Sequence, residues 1–153
     1  MSATFYIEVM HGVNLDMLHR RDPGHYGMLT LAQLQDQIAA FAQQLGLQVG
    51  FFQSNFEGEY IGHLHDLPDN TRGVILNPGA WTHYSWAIRD ALELTGLPAV
   101  EVHLSDIKAR EPWRALSVIE DLCLASFVGQ GPEGYRLALQ RLAQDLEESG
   151  ESS

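Results

Sequence analysis

Three short stretches of this chain carry ionisable side chains that could move a proton. The first is HRRDPGHYG, where Arg21 stands five residues before Tyr26. A free phenol titrates near 10 and is scarcely ionised at neutral pH. A nearby guanidinium favours the phenolate. Lowering the midpoint by about two pH units takes about 2.7 kcal/mol, feasible for a close pair shielded from water. The product is a base able to take a proton from a carbon beside a carbonyl. From the pair alone, a tyrosine beside solvated arginines is the simpler account. The second stretch is VEVHLS, where Glu101 and His103 are two apart and share one face of a strand. A carboxylate fixes the tautomer of an imidazole and stabilises its charged form, so His103 can protonate a leaving hydroxyl. An ion pair at a strand end is the plainer reading, but a glutamate and a histidine in an otherwise apolar strand are costly to bury, which favours a site. The third is NPGAWTH, where Asn77 and His83 can donate to an anion together with backbone amides at the next helix start. A turn with Thr82 as N-cap explains the same residues equally well. Arg110 and Arg114, in KAREPWR, are spaced by four and share a helix face if the helix begins that early. They would clamp a carboxylate or a polyol; a solvated charged face is the commoner origin of such spacing.

Other chemistries find little support. His63 and His65 form an H-x-H pair, but on a helix they point apart, and no HExxH or Cys/His spacing accompanies them. No metal is expected. No G-x-S-x-G elbow is present, and Cys123 lies in an apolar run as a core residue. Without a P-loop or G-x-G-x-x-G, nucleotide binding rests on fold analogy alone. The net charge of −11 argues against nucleic acid or an anionic membrane, though a local arginine cluster can still receive a small anion. No apolar run spans a bilayer, the N-terminus lacks a secretory pattern, and a single cysteine fits a reducing cytosol.

The elements that must position these residues alternate. Thr4–Met10 reads as a strand, then comes a long loop, then a helix with Leu31, Leu34, Ile38, Phe41 and Leu45 at helical spacing, Thr30 as N-cap and Gly46 beyond its end. LQVGFFQS, GVILNPG, PAVEVHL and LCLASFVG supply four more strands, with helices over EYIGHLHDL, HYSWAIRDALELTG, EPWRALSVI and EGYRLALQRLAQDLEE. Apolar central strands with little alternation describe a parallel sheet covered on both faces. The expected architecture is α/β, a flavodoxin-like doubly wound sheet of five parallel strands in the order 2-1-3-4-5. Residues 1–148 would form one domain with a lid loop at about 16–28, and 149–153 a polar tail. Ligands of such sheets bind beyond the carboxyl ends of the strands. His11 and Asn14, Ser54 and Asn55, Asn77, and Glu101, His103 and Ser105 all fall there.

Taken together, HGVNLDMLHRRDPGHYG, FFQSNFEGE, NPGAWTH with AIRDAL, EVHLSDIKAREPWR and GYRLAL resemble, in order, the blocks of the type II 3-dehydroquinate dehydratases, from about Phe5 to Leu142. The resemblance implies a hydro-lyase of the shikimate or quinate pathway that converts 3-dehydroquinate to 3-dehydroshikimate through an enolate, with no cofactor. It implies Tyr26 as base at C2, Arg21 as its activator, Asn14 holding a water at the enolate oxygen, His103 as general acid at the C1 hydroxyl, and Glu101 as its orienting partner. It assigns Asn77, His83, the backbone at Leu104 and Ser105, and Arg114 to the substrate, and Arg110 to the lid region or the site rim. Asp90 would serve a neighbouring subunit's site, in a trimer stacked into a cytoplasmic dodecamer.

Several residues depart from the family pattern. His11 and Val13 replace Asn and Pro, His19 stands for Gly, Trp81 for Tyr, and Asp106 with Lys108 alter the pattern after Ser105. These rim changes leave two alternatives open: dehydration of a related cyclic β-hydroxy ketone acid, or a ligand-binding protein without turnover. The intact Tyr26, Arg21, Glu101 and His103 set argues against the latter.

Overall fold

The computed structural model describes residues 4–20 and 29–151. The strands are β1 (Tyr6–His11), β2 (Gln48–Gln53), β3 (Thr71–Asn77), β4 (Ala99–His103) and β5 (Ala125–Val128). The helices are α1 (Leu31–Gln44), α2 (Glu57–His65), α3 (Trp86–Thr95) and α4 (Glu133–Glu151). The strands pair in parallel in the order β2-β1-β3-β4-β5, as expected. The order reverses between β1 and β3, where a crevice opens beyond the carboxyl ends of such a sheet.

Local sequence explains most of the elements. Thr30 caps α1 in a capping box: its Oγ1 accepts from the Gln33 amide (3.1 Å), and Gln33 Oε1 accepts from the Thr30 amide (3.0 Å). Leu34, Ile38 and Ala42 form the buried stripe of α1. One face of the sheet packs Ile7, Val9, Ile75, Val100 and Val102 against these residues and Leu139 and Leu142 of α4. The other packs Met10, Val74 and Leu76 against Tyr60 and Leu64 of α2 and Ile88 and Leu92 of α3. Each fully buried aliphatic side chain contributes roughly 1.5–3 kcal/mol, so both faces hold the strand ends in register.

The structure corrects the start of α3. Its N-cap is Ser85, whose Oγ accepts from the Ile88 amide (3.1 Å). Thr82 instead lies within a 3-10 turn, Gly79–His83, with its side chain buried. The turn separates the end of β3 from the helix and so brings His83 back over the sheet edge. At the other terminus, α4 runs to Glu151, through part of the segment expected as a tail.

One glycine is required by close approach. A Cβ on Gly12 would lie 2.2 Å from the Pro78 carbonyl oxygen. Without one, the Gly12 amide donates to the Asn77 carbonyl (2.8 Å), and the chain leaving β1 lies against the chain leaving β3.

Candidate active site

A cleft of about 110 Å³ opens at the carboxyl edge of β1, β3 and β4. Asn14, Asn77, His83, His103, Leu104, Ser105 and Arg114 all line it. Seven residues singled out from four separate stretches of sequence therefore meet in one place.

Asn14 reaches the cleft on a strained backbone. Its φ is 68°, and no other non-glycine residue described has a positive φ. Asn tolerates this left-handed conformation better than most residues, and such strain is held only where the surroundings fix it. Here the Asn14 amide donates to Asn55 Oδ1 (2.8 Å), Asn55 Nδ2 donates to Asp16 Oδ2 (3.2 Å), and Gln53 Nε2 donates to both Asn55 Oδ1 and the Gly12 carbonyl (3.1 Å each). The polar residues at the end of β2 thus serve as a brace for Asn14. Ser54 turns away, donating to Glu59 of α2 (2.6 Å).

Glu101 and His103 form the buried polar pair of β4. They are 0% and 4% exposed, and His103 Nε2–H donates to Glu101 Oε2 at 2.5 Å. The second carboxylate oxygen accepts from Ser117 Oγ (2.9 Å). With Nε2 committed, Nδ1 is the ring nitrogen left for the cleft. An imidazole oriented this way can pass a proton to a leaving hydroxyl, and the carboxylate behind it compensates the charge.

His83 is fixed in the opposite sense. Its Nδ1–H donates to the Leu116 carbonyl (2.7 Å), and its ring meets Trp113 edge-on at 5.2 Å. Burial holds His83 below the ordinary imidazole range, outweighing the opposing pull of the Leu116 carbonyl. Neutral His83 therefore presents Nε2 as an acceptor. That suits a substrate hydroxyl better than the anion expected from sequence. Asn77 Oδ1 accepts from the Gly79 amide (3.2 Å), leaving its NH2 group as the donor for a ligand. Ser105 Oγ is buried without a protein partner among the described residues; such a hydroxyl is satisfied by a ligand or by water. Arg114 supplies positive charge: its guanidinium stacks over Trp113 at 4.1 Å, and its Nε donates to Glu111.

The other expected residues do not line this cleft or lie outside the described residues. Arg110 does not line the cleft; it follows the 3-10 turn Ile107–Ala109, and Arg114 belongs to the next one, Pro112–Ala115. The two arginines therefore do not share a helix face. Asp90 is exposed on α3, away from this chain's cleft. Arg21 and Tyr26 lie outside the described residues. Burial pushes the Cys123 thiol up to about 12, so it is not a thiolate at neutral pH. His63 pairs with Glu8 and stacks on Phe52 at 3.9 Å, while His65 is exposed. Sequence reasoning missed Ser117 and the Leu116 carbonyl, because neither forms a motif with the residue it contacts.

The model of the class II dehydroquinase family matches residues 5–143. The chain belongs to the class II dehydroquinases. It is 47% identical over 135 residues to the 3-dehydroquinate dehydratase of Leptothrix cholodnii, covering 88% of this chain and 91% of that one. It is 46% identical over 142 residues to 3-dehydroquinate dehydratase 2 of Pseudomonas putida, covering 93% and 95%. The crystal structure of the type II dehydroquinase from Butyrivibrio crossotus superposes with a TM-score of 0.88 at 37% identity, covering 92% of this chain and 99% of that one. In this member of the family the flavodoxin-like sheet carries the cleft at its carboxyl edge.

Proposed function

We propose that this class II dehydroquinase eliminates water from 3-dehydroquinate to give 3-dehydroshikimate through an enolate. The observation that carries the reading is the buried Glu101–His103 pair facing a cleft that Asn14, Asn77, Ser105 and Arg114 also line. Eliminating water from a β-hydroxy ketone needs a base for the α-proton, donors for an oxyanion, an acid for the departing hydroxide, and anchors for the ring. Tyr26, activated by Arg21, is the base. Asn14 holds a water against the enolate oxygen. His103 delivers the proton from Nδ1 to the leaving hydroxyl, and Glu101 compensates its charge. Asn77, Ser105 with the Leu104 backbone, and Arg114 bind the carboxylate and ring hydroxyls, while His83 accepts from a hydroxyl. Asp90, exposed on α3, serves a neighbouring subunit's site in a trimer, and four trimers stack into a dodecamer.

The test is direct. Purified protein is incubated with 3-dehydroquinate, and the conjugated enone product is followed in the ultraviolet. Product formation that survives both chelator and borohydride is expected. Substrate binding with no product at high enzyme concentration would overturn the reading. Loss of activity on chelation would point to a metal, and borohydride inactivation to a lysine imine.

A further inference from the structure

One segment, Leu116 to Ile119, bonds the ring of His83 directly and also bonds Glu101, the partner of His103. The Leu116 carbonyl takes the Nδ1–H of His83 (2.7 Å), and the next side chain, Ser117, donates to Glu101 Oε1 (2.9 Å). The segment is itself locked. The Val118 amide donates to the Thr82 carbonyl (2.9 Å), and Arg89 Nη1 of α3 donates to the Val118 carbonyl (2.8 Å) while pairing with Asp121. Val118 and Ile119 are buried. The Ile119 amide approaches Ser117 Oγ at 3.4 Å, occupying a lone pair and leaving the hydroxyl proton to Glu101.

We propose that Ser117 is a positioning residue for the proton-donating histidine. It holds the Glu101 carboxylate in the plane that receives His103 Nε2–H, and so keeps Nδ1 aimed at the cleft. A carboxylate with one oxygen on an imidazole and the other free can rotate about its last bond. Once the second oxygen is held, the carboxylate has one orientation and the imidazole one tautomer. Ser117 touches no substrate; it acts through Glu101 and His103. This role rests on the dehydratase reading for its kinetic consequence, but not for its structural one.

The experiment compares wild type, Ser117→Ala and Ser117→Thr as assembled proteins, by steady-state kinetics on 3-dehydroquinate and by solid-state NMR of 15N-histidine-labelled samples. The His103 signal is assigned by its loss in His103→Gln. Losing a hydrogen bond to a charged group predicts a kcat lowered about 10- to 100-fold in Ser117→Ala. KM should be little changed, and Ser117→Thr, which keeps the hydroxyl, should recover most of the loss. With the ring neutral, before Nδ1 takes up the proton it delivers, His103 should carry its single proton at Nε2 in wild type and Ser117→Thr, and show a mixture of tautomers in Ser117→Ala. Wild-type kcat in Ser117→Ala would overturn the proposal. So would a lowered kcat with the His103 tautomer unchanged, which is what a purely structural role predicts. If wild type fails to dehydrate 3-dehydroquinate, the substrate reading falls, and the 15N spectra alone decide the role of Ser117.

Discussion

Replacing Glu101 by glutamine removes one charge while keeping the shape of the side chain. The amide oxygen can still accept from His103 Nε2–H, and the amide NH2 can donate to Ser117 Oγ, whose hydroxyl has lone pairs to offer. The fold should therefore persist, and the loss should be electrostatic. The paired atoms are 2.5 Å apart. The charge centres of carboxylate and imidazolium lie farther apart, about 5 Å, so at an effective dielectric constant of about 20 their attraction is about 3 kcal/mol. Solvent does little to screen it, since the two residues are 0% and 4% exposed. If His103 must carry the proton it delivers, about 3 kcal/mol corresponds to roughly a hundredfold fall in kcat. KM should change little, because the interaction matters when the proton moves and not when the substrate binds. The assay is steady-state formation of the enone product, with the thermal unfolding midpoint of the same sample as a control for folding. A folded Glu101→Gln enzyme with kcat near the wild-type value would refute the acid role of His103. A fall confined to KM would show that the pair binds substrate and leaves protonation to another group.

Three further outcomes follow from the site and the core. Tyr26→Phe should lower kcat by about 10²–10⁴-fold, the usual contribution of a general base, with substrate binding retained; near-normal turnover would refute the assigned base. His11 is fully buried, and burial lowers its midpoint from 6.5 to about 4. The unfolded chain therefore takes up a proton that the folded chain refuses. Stability from this group is complete above about 6.5 and is lost as the pH falls toward 4, by about 3 kcal/mol at 1.36 kcal/mol per pH unit. Urea titrations from pH 7.5 to 4 should show that loss in wild type and less of it in His11→Asn; equal slopes would contradict the assignment. Asp90→Ala should weaken assembly or activity by sedimentation and turnover, and an unchanged, fully active oligomer would refute a shared site.

The fold was legible where its determinants are local. The Thr30–Gln33 capping box is an i, i+3 pattern, and the apolar stripe of α1 and the alternation of strands with helices are periodic. The start of α3 was not, because Thr82 and Ser85 are both plausible caps before the same apolar run. The choice between them is tertiary: the Thr82 carbonyl is drawn to the Val118 amide, and its turn closes as a 3-10 helix. The Arg110 and Arg114 spacing failed for a related reason. A spacing of four has meaning only within one helix, and here two short turns divide the pair.

The site shows the same boundary more sharply. Glu101 and His103 could be paired from sequence because a strand puts i and i+2 on one face, and each alone would be costly to bury. The direction of the imidazole could not be read that way. It depends on which carboxylate oxygen is free, and that is decided by Ser117, sixteen residues later in a segment with no periodic pattern. The orientation of His83 is likewise decided by a backbone carbonyl at Leu116, and a carbonyl has no residue type to recognise. The residues proposed to do the chemistry were therefore visible as types, whereas the atoms that set their protonation geometry were not. Substitutions at 116–119, which alter none of the proposed catalytic side chains, should change turnover more than their sequence suggests, because that one segment bonds His83 directly and His103 through Glu101.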